Sequence, residues 1–502
     1  MRGMARALPP LPVDDVLPEL IRALGDGRNA VLKAPTGAGK TTRVPPALLA
    51  AGIAGEGGRI VMLEPRRLAA RAAARRMAEE QGWRLGGEVG YQVRFERRAG
   101  SGTRILVVTE GLLVRLLQSD PFLEGTAVVM FDEIHERNLD TDLALALTRK
   151  VQREARPDLS IVAMSATLDP GPVAAFLGGC PVVESVGRLH PVEVRRFVPG
   201  GPGRGAAAGG FPSHPAEIAA RAAAGIREAL TAAEGGVLAF LPGVGEIRRT
   251  AELLDDLPAR GVEVLPLHGS LPPEEQDAAL DPRPGGRKVV LATNVAESSV
   301  TVPGVTAVVD SGLARVLRYD PASGLDRLEL ARVSRESADQ RAGRAGRERP
   351  GLALKLWSEH EDRALPERET PEIARVDLAA PLLQLLAWGE GTPEEFEWLE
   401  PPASEAVAQA LSLLTLLGAK NAAGLTSLGR TLTNLPLHPR LGRLLVEGHR
   451  RGAGADAALA AALLAERDPV RRDRDAGPPP PSPSDLLDRV EALEAFDRTG
   501  RP

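Results

Sequence analysis

A chain of 502 residues, 43% apolar and 26% charged, has an ordinary globular balance and length for about three to four domains of ~150 residues each. A formal net charge of −5 and a pI of about 6.0 exclude a uniformly basic, nucleic-acid-coating protein, so any nucleic-acid contact must come from cations concentrated in a cleft. The absence of an apolar run of about 18 residues excludes a helical membrane span, and the single Cys180 excludes an intrachain disulfide framework. No apolar core follows the N-terminal arginines, so no signal peptide is expected and the location predicted is cytoplasmic.

After an N-terminal extension over 1–13, residues 14–190 alternate apolar segments with helical patterns. The predicted strands are Ala30–Lys33, Arg59–Leu63, Ile105–Val108, Ala127–Phe131 and Ser160–Met164, with helices such as Leu68–Gln81 and Gly111–Gln118 between them. Alternation of this kind predicts an α/β domain with a parallel sheet covered on both faces.

The first strand runs into Ala34, Pro35, Thr36, Gly37, Ala38, Gly39, Lys40, Thr41 and Thr42, which fit a phosphate-binding loop between a strand and a helix. Gly37 and Gly39 let backbone N–H groups close around phosphate, and the helix N-terminus adds its dipole. Lys40 is expected at the β/γ-phosphates and Thr41 at Mg²⁺. Nearly every other cation of the chain is Arg, so Lys at position 40 runs against the habit of the sequence.

The strand ending at Phe131 delivers Asp132-Glu-Ile-His135. Two carboxylates at a strand end suit the metal side of a nucleotide-hydrolysis site. Mg²⁺ is assigned to Thr41, Asp132 and Glu133, with Glu133 also the general base for the attacking water. A helix cap would be the plain use of such carboxylates; the loop upstream argues for chemistry. His135 lacks a surrounding His/Cys cluster, so it is expected to hydrogen-bond across a domain boundary rather than bind metal. Ser165-Ala-Thr167 can link the acidic motif to a neighbouring site, and Ser165 and Thr167 are read as coupling residues.

Residues 199–214 read as a Gly/Pro-rich insertion or linker. A second α/β domain over 191–365 follows, with strands Val237–Leu241, Val262–Leu265, Lys288–Ala292 and Ala307–Asp310 and helices near 216–233, 244–258 and 272–280. Thr293–Thr301 is rich in hydroxyls and amides suited to phosphate-backbone contact or a nucleotide edge, and Thr301 is assigned to the nucleotide. Leu313–Arg318 and Leu325–Arg332 flank a Pro/Gly turn and predict a β-hairpin. In Gln340-Arg-Ala-Gly-Arg-Ala-Gly-Arg347, Arg344 and Arg347 fall on one predicted helical face. They suit transition-state charge on a phosphoryl group, and Gln340 suits the attacking water; a solvated Arg-rich helix is the plain alternative.

From 366 the pattern becomes helical. Thr370–Leu386 and Ser404–Leu417 are predicted amphipathic helices, Leu425–Leu435 a connector and Arg440–Asp468 an Ala/Leu-rich stretch. A Pro-rich loop follows over 476–483, then a last helix over 484–496. No evident closing element follows, which leaves open that the protein continues.

In this motif order the chain resembles superfamily 2 helicases of the DEAH-box class. The segments carrying the resemblance are Ala34–Thr42, Glu64-Pro-Arg-Arg67, Thr109-Glu-Gly111, Asp132–His135, Ser165–Thr167, Phe240-Leu-Pro-Gly243, Thr293–Thr301 and Gln340–Arg347. The resemblance implies two tandem RecA-like domains with ATP·Mg²⁺ between them, a winged-helix-like region over 366–439 and a ratchet-like helical segment over 440–502. It also implies 3′→5′ movement along single-stranded RNA, or DNA, by a monomer. Arg66, Arg67, Thr109 and Gly111 of the first domain would then contact the strand, with Ser270, Thr293 and Asn294 of the second.

Arg76 matches the arginine that stacks on the nucleotide base in this class; the plain alternative is a solvated helix residue. Its aromatic partner is replaced by Leu280, and the aspartate that often follows the Thr293 motif is Pro303. No Gln precedes the phosphate loop, so other nucleoside triphosphates are expected to be accepted beside ATP. A remodelling ATPase without processive unwinding, or a nucleotide-switched scaffold, are the competing readings. The scaffold would require a dead site, whereas Lys40, Asp132, Glu133, Arg344 and Arg347 are all present.

Overall fold

The computed structural model describes residues 8–167, 169–187, 190–198, 211–282, 286–298, 300–320, 324–465 and 484–499. The chain forms two compact units, one through Val376 and one from Asp377 onward. Among the described residues no helix is long and apolar enough to cross a membrane.

The first unit holds two sheets. One contains β1 (Asn29–Lys33), β2 (Arg59–Leu63), β3 (Val89–Val93), β4 (Glu96–Arg98), β5 (Ile105–Val108), β6 (Thr126–Phe131), β7 (Ser160–Ser165) and β8 (Val182–Glu184), in the order β4-β3-β5-β2-β6-β7-β1-β8. All pairings are parallel except the β3–β4 ribbon at one edge. The central strands are buried on both faces, which is why they read as unbroken apolar runs rather than alternating ones. The interior strands β1, β2, β6 and β7 end together, and their C-terminal ends form the crevice where doubly wound sheets bind ligands.

The second sheet contains β9 (Val192–Arg196), β10 (Gly236–Phe240), β11 (Val262–Leu267), β12 (Arg287–Ala292) and β13 (Val305–Asp310). After the hairpin β14 (Leu313–Asp320) and β15 (Leu325–Arg332) comes its last strand, β16 (Gly351–Lys355). The order is β11-β12-β10-β13-β16-β9, parallel throughout. The edge strand β9 is mostly exposed and carries Glu193, Arg195 and Arg196, charges that discourage edge-to-edge pairing. The hairpin runs antiparallel from Leu313–Arg332 to Asp320–Leu325; its predicted turn at 321–323 lies outside the described residues.

Of the insertion expected over 199–214, residues 199–210 lie outside the described residues, and the Phe211 ring packs 5.9 Å from that of Trp357. Three expectations need correction. The helix expected over 244–258 stops at Glu252, because the ring of Pro258 excludes an α-helical carbonyl at Leu254. The helix expected over Thr370–Leu386 is instead a short turn, Glu372–Ala374, followed by a separate helix, Ala379–Trp388. Pro381 cannot coexist with a helical carbonyl at position 377, and Asp377 accepts the Ala379 N–H at 2.7 Å to start the new helix. Residues 366–376 therefore belong with the first unit: Arg335 N–H donates to Pro366 O at 2.8 Å, and Ser334 N–H to Glu369 at 2.7 Å.

The second unit holds the helices Ala379–Trp388, Ser404–Leu416 and Ser427–Thr433, with a minimal hairpin β17 (Lys420–Asn421) and β18 (Gly424–Leu425) before the third. The Ala/Leu-rich stretch divides into Pro439–Arg450 and Gly454–Ala465, broken where Gly452 adopts φ +81°. The Pro-rich loop at 476–483 lies outside the described residues, and Asp485–Thr499 is the last helix.

Candidate nucleotide site

The phosphate loop leaves β1 beside β7, where Ala34 N–H donates to Ser165 O at 3.0 Å. Pro35, Thr36 and Ala38 complete the turn, with Thr36 and Ala38 buried. Gly37 and Gly39 take φ values of +86° and +93°, the left-handed region that turns successive N–H groups inward. Gly39 caps the helix Lys40–Ala50, and Thr42 N–H returns to its carbonyl at 3.2 Å. The segment Pro9–Asp15 packs over the loop. Val13 N–H reaches Ala38 O at 3.0 Å, and a Cβ on Gly39 would stand 2.6 Å from Leu11 Cδ1. Gly39→Ala is therefore expected to cost about 1–2 kcal/mol in backbone strain alone and to weaken nucleotide affinity about tenfold. Titration calorimetry checks this; unaltered affinity would show that the loop does not have to hold its shape.

Four charged side chains converge on the helix that starts at Lys40. Lys40 Nζ lies 3.0 Å from Glu133 and 3.9 Å from Asp132, and Thr41 Oγ1 donates to Asp132 at 2.6 Å. Burial pushes the Lys40 amine down, but Glu133 and Asp132 outweigh it and hold the group above its ordinary range. Burial likewise opposes charge on Glu133, yet Lys40, then His135, hold its carboxyl down at about 2. Glu133 is thus a carboxylate at neutral pH, as a base requires. Its φ of +51° places a side-chain-bearing residue in the left-handed region, strain of the kind that collects at working sites.

The fourth group is Glu64, at the end of β2. It is fully buried, and burial with Asp132 and Glu133 nearby, together with a hydrogen bond to Asp132, holds it well above the carboxylate range. Glu64 opens the segment Glu64-Pro-Arg-Arg67, and an acidic residue closing an apolar strand is the sequence signal for its place in the site. The Thr41 hydroxyl and the Asp132 carboxylate are hard oxygen donors side by side, the donor type that suits Mg²⁺.

The opposite wall comes from the second sheet. The helix Arg335–Gly343 ends one residue before Arg344, and Arg344–Gly346 is a tighter 3-10 turn. Arg344 and Arg347 are therefore not on one α-helical face as predicted, but both converge on Val300 O, at 2.6 and 3.4 Å. Arg344 also donates to Glu297 O, and Arg347 to Thr301 Oγ1. Arg347 crosses to the phosphate loop, its Nε 3.6 Å from where a Gly37 Cβ would stand. Burial lowers both guanidinium groups, Arg347 to about 10, and the Glu133 carboxylate opposes that loss of charge in each. Gln340 Nε2 donates to Thr167 Oγ1 at 3.0 Å, joining the two walls directly. Thr167 N–H in turn lies 3.4 Å from Ser165 Oγ.

His135 is buried, with Nδ1 3.5 Å from Glu133, and its ring makes no hydrogen bond. The hydrogen bond expected of it across the boundary is made by its neighbour. Glu136 accepts from Ser298 Oγ and pairs with Arg66 at 3.0 Å. Arg66 also donates to Asn294 O, so this predicted strand-contacting residue is spent within the protein. Asn294 lines the cavity that His135, Glu136 and Gln340 also line. Arg67, Thr109 and Gly111 follow the C-terminal ends of β2 and β5; Ser270 and Thr293 follow those of β11 and β12. Ser270 Oγ lies 3.0 Å from His268 Nδ1, and Ser270 and Arg67 are exposed.

Arg76 points to solvent, 59% exposed and 2.6 Å from Glu80, which Arg43 also pairs with at 3.1 Å. Leu280 packs against the apolar cluster that includes Leu68, Ala69 and Ala279. One residue of the arginine motif was missed. Arg341 is buried between Asp310 and Glu297, at 2.9 and 2.8 Å, with its guanidinium 5.0 Å over the Phe240 ring. The signal was Asp310 itself, a carboxylate inside a buried strand that needs a cation.

Residues 15–176 match the DEAD/DEAH box helicase family, and residues 222–349 match the helicase conserved C-terminal domain. The chain is 44% identical over 457 residues to the ATP-dependent RNA helicase HrpB of Escherichia coli, covering 91% of this chain and 55% of that protein. It is 36% identical over 471 residues to the ATP-dependent RNA helicase HrpA of the same organism, covering 93% of this chain and 35% of the relative. The crystal structure of Escherichia coli DEAH/RHA helicase HrpB superposes with a TM-score of 0.82 at 40% identity, over 98% of this chain and 61% of that one. The chain thus spans about half the length of the first relative and about a third of the second.

Proposed function

The chain belongs to the DEAD/DEAH box helicases, and from that premise we propose that it is an ATP-dependent 3′→5′ helicase or translocase on single-stranded nucleic acid, RNA before DNA. The observation that carries the reading is the two-walled cleft: Lys40, Thr41, Asp132 and Glu133 on one sheet face Gln340, Arg344 and Arg347 on the other, with Gln340 bonded to Thr167 between them.

Each wall holds half of what hydrolysis needs. Lys40 and the loop N–H groups of Gly37–Lys40 bind the phosphates. Thr41 and Asp132 would hold Mg²⁺, which when bound offsets phosphate charge. Glu133, already ionised, accepts the proton of the attacking water, and Gln340 orients that water. Arg344 and Arg347 stabilise charge on the transferring phosphoryl group. Because these groups come from separate sheets, chemistry is tied to closure of the domains, and reopening supplies a step along the strand. The strand itself lies across the C-terminal ends of β2, β5, β11 and β12, near Arg67, Thr109, Gly111, Ser270 and Thr293, with contacts to phosphate and sugar rather than base.

Displacement assays with 3′- and 5′-tailed duplexes, in RNA and in DNA, test this. Displacement of 3′-tailed RNA substrates is expected. RNA-stimulated hydrolysis without displacement would favour a remodelling ATPase, and neither activity would remove the proposal.

Nucleotide choice gives a second test. Leu280 cannot stack on a base as an aromatic ring does, which leaves Arg76 alone to do so. Hydrolysis of GTP, CTP and UTP is expected within about tenfold of ATP, one lost stacking contact being worth about 1–3 kcal/mol. Discrimination against them beyond about a hundredfold would mean that a base reader lies elsewhere.

A further inference from the structure

The segment Thr370–Val376 ties the turn after the acidic motif to the hairpin β14–β15. At one end, Glu372 N–H donates to Arg137 O at 3.0 Å, and Glu372 Oε2 accepts Leu139 N–H at 3.0 Å. Leu139 opens the helix that follows the acidic turn, and Asn138, its N-cap, provides no side-chain cap, so Glu372 caps that helix from a distant part of the chain. Arg137 takes φ +50°, a second strained residue close behind Glu133. At the other end, Arg375 donates to Leu317 O in β14, and Arg375 O accepts Tyr319 N–H at 2.8 Å. Between the ends, the turn Glu372–Ala374 and the Glu372–Arg375 pair at 3.4 Å make one rigid link.

The seat of this strap is contested. Glu110 and Asp140 face Glu372, and burial with both neighbours pushes the Glu110 carboxyl up. Arg115 faces Asp140, and Thr141 Oγ1 donates to Glu110 at 3.0 Å. Beneath the strap lies a cavity of about 260 Å³, lined by His135, Glu136, Leu317, Leu328, Glu372 and Arg375 among others. One main-chain hydrogen bond, to Arg137 O, and one from Leu139 N–H to its carboxylate hold Glu372 in place against like charge and beside open space.

We propose that Glu372 is a positioning residue that transmits the state of the turn Asp132–Arg137 to the hairpin β14–β15. The proposal rests on the functional reading above for its use, but not for its geometry. A shift of the acidic turn carries Arg137 O and Leu139 N–H with it, and through Glu372 and Arg375 moves the backbone of Leu317 and Tyr319.

The test is amide exchange over residues 313–320 in the full chain, with and without Mg²⁺ and adenosine 5′-(β,γ-imido)triphosphate. Nucleotide is expected to change exchange at this peptide by about tenfold in the unaltered protein. Glu372→Ala is expected to abolish that response while melting temperature and nucleotide affinity stay put. Glu372→Gln, which retains an oxygen for Leu139 N–H, is expected to preserve it, and Arg375→Ala to match Glu372→Ala. A full response in Glu372→Ala, or none in the unaltered chain, overturns the proposal. In the same variants, poly(U) stimulation of hydrolysis is expected to fall about tenfold with basal turnover retained; equal loss of both means a structural role only and also overturns it. A chain that never hydrolyses nucleotide would remove the functional reading, while the exchange experiment still decides the strap.

Discussion

Glu133→Gln is expected to lower nucleotide turnover by about a thousandfold, the middle of the range for a positioned general base. The side chain keeps its shape, so the loss is that of the proton acceptor. Nucleotide affinity should not fall with it. In the present structure Lys40 is held by Glu133 at 3.0 Å, and phosphate must compete for that amine. Removing the Glu133 charge releases Lys40, so affinity in the variant is expected to equal or exceed that of the unaltered chain. Stability should fall, because Lys40 is buried and keeps only Asp132, at 3.9 Å, as a close anion. Phosphate-release kinetics and equilibrium titration on the same preparation separate the two effects. Turnover within a few-fold of the unaltered protein would sink the base assignment. Loss of binding together with turnover would place Glu133 among the phosphate-holding groups instead.

The halves of this site differ in how far the sequence discloses them. The phosphate loop is legible because its physics is local: an apolar strand, two glycines that take positive φ, and a Lys before hydroxyls. Most buried strands are legible for the same reason, with β2 and β5 found at their observed bounds, since burial on both faces leaves an unbroken apolar run, although the buried β16 was missed. Strands with mixed faces were missed. Val89–Val93 carries Gly90 and Gln92, Glu96–Arg98 is wholly charged, and Val192–Arg196 is an exposed edge. Their pairing is decided by neighbours far along the chain, which no short window contains. The helix read through 370–386 failed differently. Its apolar spacing was right on both sides of a break that Pro381 and Asp377 impose. Partners across the cleft were the least legible. Nothing near Glu136 announces Ser298, and nothing near His135 shows that its ring would turn to Glu133 rather than to the other wall.

Arg341→Met is expected to cost about 3–5 kcal/mol of stability, the range for removing one partner of a buried ion pair. Arg341 is 1% exposed and answers two carboxylates at once, Asp310 from β13 and Glu297 from the loop after β12. Those anions outweigh the burial that would otherwise lower its pKa, so the guanidinium is held above its ordinary range. Met fills much of the volume over Phe240 but strands the buried Asp310 carboxylate and leaves Glu297 with Arg66 as its remaining neighbouring cation. The effect should also reach the cleft, because Glu297 is a shared post: its carboxylate accepts from Ser337 at 2.6 Å, and its carbonyl accepts from Arg344. A displaced Glu297 releases Arg344, so turnover should drop at temperatures where the variant is still folded. Chemical denaturation measures the first effect and steady-state hydrolysis the second. Adding Asp310→Asn to Arg341→Met should restore part of the stability, since it removes one stranded charge, but not the turnover, since Glu297 remains unanchored. Denaturation midpoints differing by less than the equivalent of about 1 kcal/mol would mean that the two carboxylates find protons or water without Arg341. The first arginine of the motif would then be a packing residue, and the placement of Arg344 would have to come from Val300 O alone.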